Sequence, residues 1–178
     1  MKLEVDDVID FPLDEVYPAF RDHTEELANY LEAIERIEVQ SRQVDGDHVH
    51  IVSIWTSKLK FPGPIEKFIP KGARQYTDTA TWHSDKHTVE WNIDISVLRK
   101  AVSARGANSF EAHGENQTLM KIRGDIDIDP SKIPGVPTML VKRVLPTIIK
   151  FIVQNVEKNM KQGNRSIERY LTSRRKEG

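Results

Sequence analysis

His87-Thr88-Val89-Glu90-Trp91-Asn92-Ile93-Asp94-Ile95-Ser96-Val97 is the stretch on which the fold turns. Val89, Trp91, Ile93, Ile95 and Val97 alternate with Glu90, Asn92, Asp94 and Ser96. A period of two with one apolar and one polar side predicts a strand buried on one face and wet on the other. Sheets of that kind are commonly antiparallel.

The neighbouring segments repeat the pattern. Strands are expected over about 75–83, 87–97, 101–112 and 117–129, with turns at Ser84-Asp85-Lys86 and Gly114-Glu115-Asn116. Upstream, Ile37, Val39 and Ser41 share one side of a strand, with Glu38, Gln40 and Arg42 on the other. Asp45-Gly46-Asp47 reads as a tight hairpin turn, since Gly tolerates positive φ, and Val49, Ile51, Ser53 and Trp55 return from it. Between this hairpin and the next strand, Phe61-Pro62-Gly63-Pro64 cannot lie in a central strand, because proline lacks the N–H that the ladder needs. The chain opens on a strand over 2–10, with Leu3, Val5 and Ile9 on one face. Pro12 then stands where a first helical turn tolerates it, with Asp14 and Glu15 suited to a helix N-terminus. A short helix carrying Val16, Tyr17 and Phe20 follows, then a second from Thr24 to Ala33 with Leu27, Tyr30, Leu31 and Ile34 in a stripe.

Pro130, Pro134, Gly135 and Pro137 end the strands, and a helical period runs from about Thr138 to Leu171. Pro146 predicts a kink there and Gly163 a weak point. The order is strand, two short helices, six strands, long helix. An antiparallel sheet with one apolar face needs cover, and this amphipathic helix is the cover available. The fold class is α+β, with about seven antiparallel strands in one domain over residues 1–178, ordered from about 2 to 172.

Composition narrows the function classes. At 178 residues, with 38% hydrophobic and 30% charged residues, the chain suits one globular domain. It has no cysteine, which excludes disulfides, thiolate metal sites and cysteine nucleophiles. No run approaches the roughly 18 apolar residues of a membrane span. A soluble, cytoplasmic protein is the expectation. The net charge of −1 is unevenly spread. Residues 138–178 hold ten basic and three acidic side chains, hence +7, while the remainder holds 16 and 24, hence −8. That basic segment reads first as a solvated helix face on an acidic sheet, with a transient contact with an anionic membrane surface as the sharper alternative.

The phrases Ile9-Asp10-Phe11-Pro12-Leu13-Asp14-Glu15-Val16-Tyr17-Pro18-Ala19-Phe20-Arg21-Asp22, Leu27 to Leu31 through Val39 to Arg42, and Ile128 to Pro137 with the helix after it, occur in that order. In them the chain resembles the START/Bet v1-like superfamily (SRPBCC, polyketide cyclase/dehydrase and lipid transport). The resemblance covers Leu3 to Leu171. It implies a helix-grip fold, in which a curved sheet holds the C-terminal helix over a cavity. It also implies an apolar small molecule, a lipid or a polyketide as guest, with some members catalytic and others carriers.

On that reading the cavity wall comprises Trp55, Tyr76, Trp82, Trp91, Ile93, Asn108, Phe110, Met120 and Ile122 from the strands, with Ile148 and Ile152 from the helix. Ala104, Gly106 and Asn108 are small or polar on the inner face, which leaves volume unfilled, and Asn108 could orient a polar ligand atom. Phe61, Ile65, Phe68 and Ile69 make the loop before the fourth strand a candidate entrance. The six histidines lack metal-ligand spacing; His48 and His50 share a strand face. Asp125, Asp127 and Asp129 alternate along the last strand as a wet face, as do Glu90 and Asp94. No Gly-rich phosphate loop or nucleophile elbow is present; no cofactor is expected, the reading leans against catalysis without excluding it, and the acidic sheet argues against nucleic acid. The leading expectation is a non-catalytic binder or carrier of an apolar small molecule or lipid. The alternatives are a polyketide cyclase or aromatase using Tyr76, Asn108 or Arg105, and a protein-interaction module.

Overall fold

The computed structural model describes residues 1–58, 60, 66, 70–134, 146–147, 150, 158 and 162–176. Strand β1 (Lys2–Ile9) leads to helix α1 (Leu13–Asp22) and the four-residue α2 (Thr24–Leu27). Strands β2 (Ile34–Asp45), β3 (His48–Ser57), β4 (Gln75–His83), β5 (Thr88–Asp94), β6 (Val102–Ala112) and β7 (Thr118–Ile128) follow. A helix over 162–176, here α3, is the last described element.

The strands form one open, curved antiparallel sheet in the order β1-β7-β6-β5-β4-β3-β2. Tight turns join β2 to β3 and β6 to β7, with Gly46 and Gly114 at positive φ. The apolar sides of the strands face one way and make the main core, with Ile9, Val16 and Ile167 fully buried. Each such side chain stabilises the fold by about 1.5–3 kcal/mol. Helix α1 packs on this face: the Tyr17 ring meets Trp82 at 5.4 Å and Phe110 at 5.5 Å, both edge-on.

Helix α3 also lies on this face, through Ile167, Tyr170 and Leu171. Polar contacts pin it. Asn164 Nδ2 donates to Asp7 Oδ2 of β1 at 3.0 Å. Ser166 Oγ donates to the Tyr30 carbonyl at 2.7 Å, and Arg169 donates to the same oxygen at 2.8 Å. Arg165 pairs with Glu168, and Arg175 pairs with Glu15 of α1 while its guanidinium lies 4.5 Å from the Phe11 ring centre. Much of the basic charge of α3 thus faces acidic groups of its own and of other elements.

Several local expectations need correction. The helix expected over Thr24–Ala33 stops at Leu27 and becomes a 3-10 turn over Ala28–Tyr30, because Leu31 is extended (φ −89°, ψ 107°) and Ile34 already belongs to β2. The strand expected to reach Val97 ends at Asp94, and Ser96–Leu98 form a 3-10 turn. Ile95 and Leu98 leave the sheet row to join Ala73, Ala101 and Ile133 in a second small core. Val39 and Ser41 do not share a face, since Val39 pairs with Ser53 and Ser41 with the next residue, Val52. Gln40 is the extra residue of a β-bulge, which reverses the alternation beyond it. Helix α3 runs to residue 176 rather than stopping near Leu171, and Gly163 does not interrupt it. Its last turn is held by the Tyr30–Ser173 hydroxyl contact at 2.8 Å and by Arg175.

Candidate functional site

Pairing across the sheet places inward residues in rows. One row runs Ser53, Asp78, Ile93, Ala104, and beside it Trp55 faces Tyr76. The next runs Ile51, Ala80, Trp91, Gly106, Gly124, and a third runs Val49, Trp82, Val89, Asn108, Ile122. Between these rows and α3 lies a cavity of about 380 Å³. That is within the range of small-molecule sites, roughly 300–1,000 Å³. Its lining also includes Thr24 of α2, Leu31 and Glu32 from the α2–β2 connection, and Gln162 and Gly163 from α3.

Trp55, Tyr76, Trp82, Trp91, Ile93, Asn108, Phe110, Met120 and Ile122, the strand residues expected in the wall, all line this cavity. All three tryptophans of the chain are among them. Ile148 and Ile152 lie outside the described residues, as do Phe61, Ile65, Phe68 and Ile69 of the expected entrance.

The small residues of β6 act differently from expectation. A Cβ on Gly106 would sit 2.5 Å from Trp91 Cζ2 and 2.4 Å from the Arg123 carbonyl oxygen. One on Gly124 would meet Trp91 Cη2 at 3.0 Å. The space over both glycines is therefore occupied by the Trp91 ring, which lies across β6 onto β7, and is not void. Asn108 is likewise partly committed: its Oδ1 accepts from Trp91 Nε1 at 2.9 Å, which leaves its amide N–H groups and one oxygen lone pair for a ligand. The Trp55 indole donates to Ser53 Oγ at 2.9 Å and stacks on Tyr76 at 5.9 Å. These bonds satisfy the two indole N–H groups inside an apolar space, as buried donors require.

Asp78 is the site residue that motif reading missed. It sits on β4 between Tyr76 and Ala80, on the face that also carries Trp82. It has no hydrogen-bond or ion-pair partner among the described residues. Burial among apolar neighbours pushes its carboxyl up from 3.8 to about 7. Burial also raises the Tyr76 phenol, and the nearby Asp78 charge adds to that. Both residues keep some free surface, which faces the cavity. The signal was in the sequence: Tyr76, Asp78, Ala80 and Trp82 are two apart, so the period that buries Trp82 also turns Asp78 inward.

Other polar candidates point elsewhere. Arg105 is exposed and lines an outer groove with Glu90, Asn92 and Asp125, away from the cavity. His50 Nδ1 contacts Thr81 Oγ1 at 3.1 Å on the outer face. Among the described residues no group of three or more His, Cys, Asp or Glu could hold a metal ion. Asp125 pairs with Lys2 and Asp129 with Lys132. No described helix is long and apolar enough to cross a membrane.

An open curved antiparallel sheet gripping a C-terminal helix over an apolar cavity is the START/Bet v1-like (SRPBCC) fold. Within that fold the chain belongs to the family described as "Protein of unknown function (DUF2505)", whose model matches residues 4–171. No curated protein matches the sequence. Solved structures resemble it in fold. The Zhui aromatase/cyclase from Streptomyces sp. R1128 has a TM-score of 0.65 at 10% identity, covering 96% of this chain and 95% of that one. TTHA0849 from Thermus thermophilus has a TM-score of 0.62 at 16% identity, covering 94% and 97%. Norcoclaurine synthase from Thalictrum flavum has a TM-score of 0.57 at 13% identity, covering 96% and 92%.

Proposed function

We propose that this protein binds an apolar small molecule, such as a lipid or a polyketide-like aromatic, in the cavity between sheet and α3, and carries or senses it without chemical change. The observation that carries this reading is the cavity itself, about 380 Å³ and lined mainly by aromatic and aliphatic side chains from six strands, β2 to β7. The wall residues named above are the proposed ligand contacts. Structural neighbours, an aromatase/cyclase and a norcoclaurine synthase in complex with dopamine and hydroxybenzaldehyde, add support for a small-molecule fold. The cytoplasm is the proposed location, on the strength of the cysteine-free composition. Transient contact with an anionic membrane would suit a lipid cargo, but the pairing of Arg165 and Arg175 within the molecule lowers the charge available for it. Native mass spectrometry of freshly purified protein tests the reading. A retained apolar adduct, lost when Ala80→Trp fills the cavity, is expected. Protein that stays free of any adduct after incubation with lipid extracts and aromatic polyketides would contradict it.

A second reading is an enzyme of the cyclase or aromatase sort. What favours it is the convergence of two titratable groups, Asp78 and Tyr76, on one cavity wall. A carboxyl poised near neutrality can move a proton to or from a bound carbonyl compound. Turnover of a poly-β-keto thioester that vanishes in Asp78→Asn and survives in Trp82→Phe would establish it in place of simple carriage.

A further inference from the structure

The ionisable groups of the cavity wall are unusual in sign. Among its described lining residues are two carboxylates, Asp78 and Glu32, and one phenol, Tyr76; there is no lysine, arginine or histidine. Glu32 stands at the rim, exposed, where Gln162 Nε2 donates to it at 3.2 Å and Arg169 lies 3.9 Å away. Asp78 stands deep, with no such partner among the described residues. Ser53 faces it from β3, Ile93 from β5, and the neutral Gln162, Asn164 and Ser166 line the α3 side. Of these, Asn164 and Ser166 are already bonded to Asp7 and the Tyr30 carbonyl. An unpaired carboxylate in an apolar space is costly, and a cation brought in by the ligand would relieve that cost. Stacked Trp55 and Tyr76 stand in the same wall, and aromatic faces also attract cations.

We propose that the cavity selects an apolar ligand bearing a protonated amine, with Asp78 as its counter-ion. This rests on the reading above that the cavity holds an apolar small molecule. It also excludes fatty-acid anions as good ligands, since a second carboxylate would meet Asp78 with nothing to neutralise either.

The test is titration with decylamine, decanol and decanoate, three probes with the same chain length and different heads, followed through the fluorescence of Trp55, Trp82 and Trp91. At pH 8 decylamine should bind about tenfold or more tightly than decanol, the factor a charge-assisted pair typically gives, with decanoate weakest. Decylamine affinity should rise from pH 6 to pH 8 as Asp78 ionises, while decanol affinity stays level. In Asp78→Asn the amine should lose its advantage and bind no more tightly than the alcohol, because its ammonium then has no counter-ion. Asp78→Ser serves as a second variant should the first not fold. Equal binding of decylamine and decanol to the native protein would overturn the amine inference while leaving the apolar site intact. Failure of all three to bind would remove the apolar site and the inference with it.

Discussion

Replacing Asp78 by asparagine should make the protein more stable, and only above acidic pH. The carboxyl lies at about 7 in the folded chain and at 3.8 in its ordinary state. Between those values the folded protein holds a proton on Asp78 that the unfolded chain has released. Stability therefore falls as pH rises, by about 1.4 kcal/mol for each pH step across that interval. The full interval amounts to about 4 kcal/mol, lost by pH 8 and regained near pH 4. Asparagine keeps the size and polarity of the protonated carboxyl and never ionises. The difference in unfolding free energy between Asp78→Asn and the native chain should therefore be close to zero at pH 4 and about 4 kcal/mol in favour of the variant at pH 8. Urea denaturation followed by far-ultraviolet circular dichroism reads this directly. With a slope of about 2 kcal/mol per molar urea, the midpoints should separate by about 2 M at pH 8. Taking the difference cancels every other titrating group. A difference that is the same at both pH values, or a variant less stable at pH 8, would refute the claim that burial holds this carboxyl high.

Gly106→Ala should cost about 1–3 kcal/mol, because its Cβ meets the Arg123 carbonyl and the Trp91 ring, and backbone cannot yield as a side-chain tip can; thermal unfolding measures it. Asn108→Leu removes the acceptor of the Trp91 indole and leaves a buried N–H unpaired, at about 1–3 kcal/mol, visible as a lower denaturation midpoint with altered tryptophan emission. Phe110→Ala should destabilise by about 3–5 kcal/mol, since this ring is 2% exposed and touches Tyr17, Phe20 and Trp82.

Where the alternation of a one-sided sheet runs uninterrupted, the sequence reveals the wall. Val49, Ile51, Trp55, Trp82, Val89, Trp91 and Ile122 could be assigned to the inner face from spacing alone, because a strand offers its side chains only two directions. Spacing fails where tertiary contacts intervene. Ile95 continues the alternation of β5, yet it turns away to pack with Leu98 and Ala101 in a separate core. Gln40 carries no mark of a bulge, since the extra residue is defined by its pairing with β3. Trp91 was legible as a wall residue, but its position over Gly106 and Gly124 depends on two strands paired from 15 and 33 residues away. Asp78 shows the opposite case. Its inward direction follows from the same period as its neighbours, although a carboxylate taken alone suits a solvent-facing position.

The site's occupancy can be read most directly from the three indole N–H resonances of nitrogen-15-labelled protein, since the chain's only tryptophans all face the cavity. Saturating decylamine or decanol should shift these resonances together, Trp55 and Trp91 most, while the amide of Val44 on the exposed β2–β3 hairpin stays in place. Indole resonances that remain fixed while surface amides move would mean that the guest sits elsewhere and that the space under α3 is not a binding site.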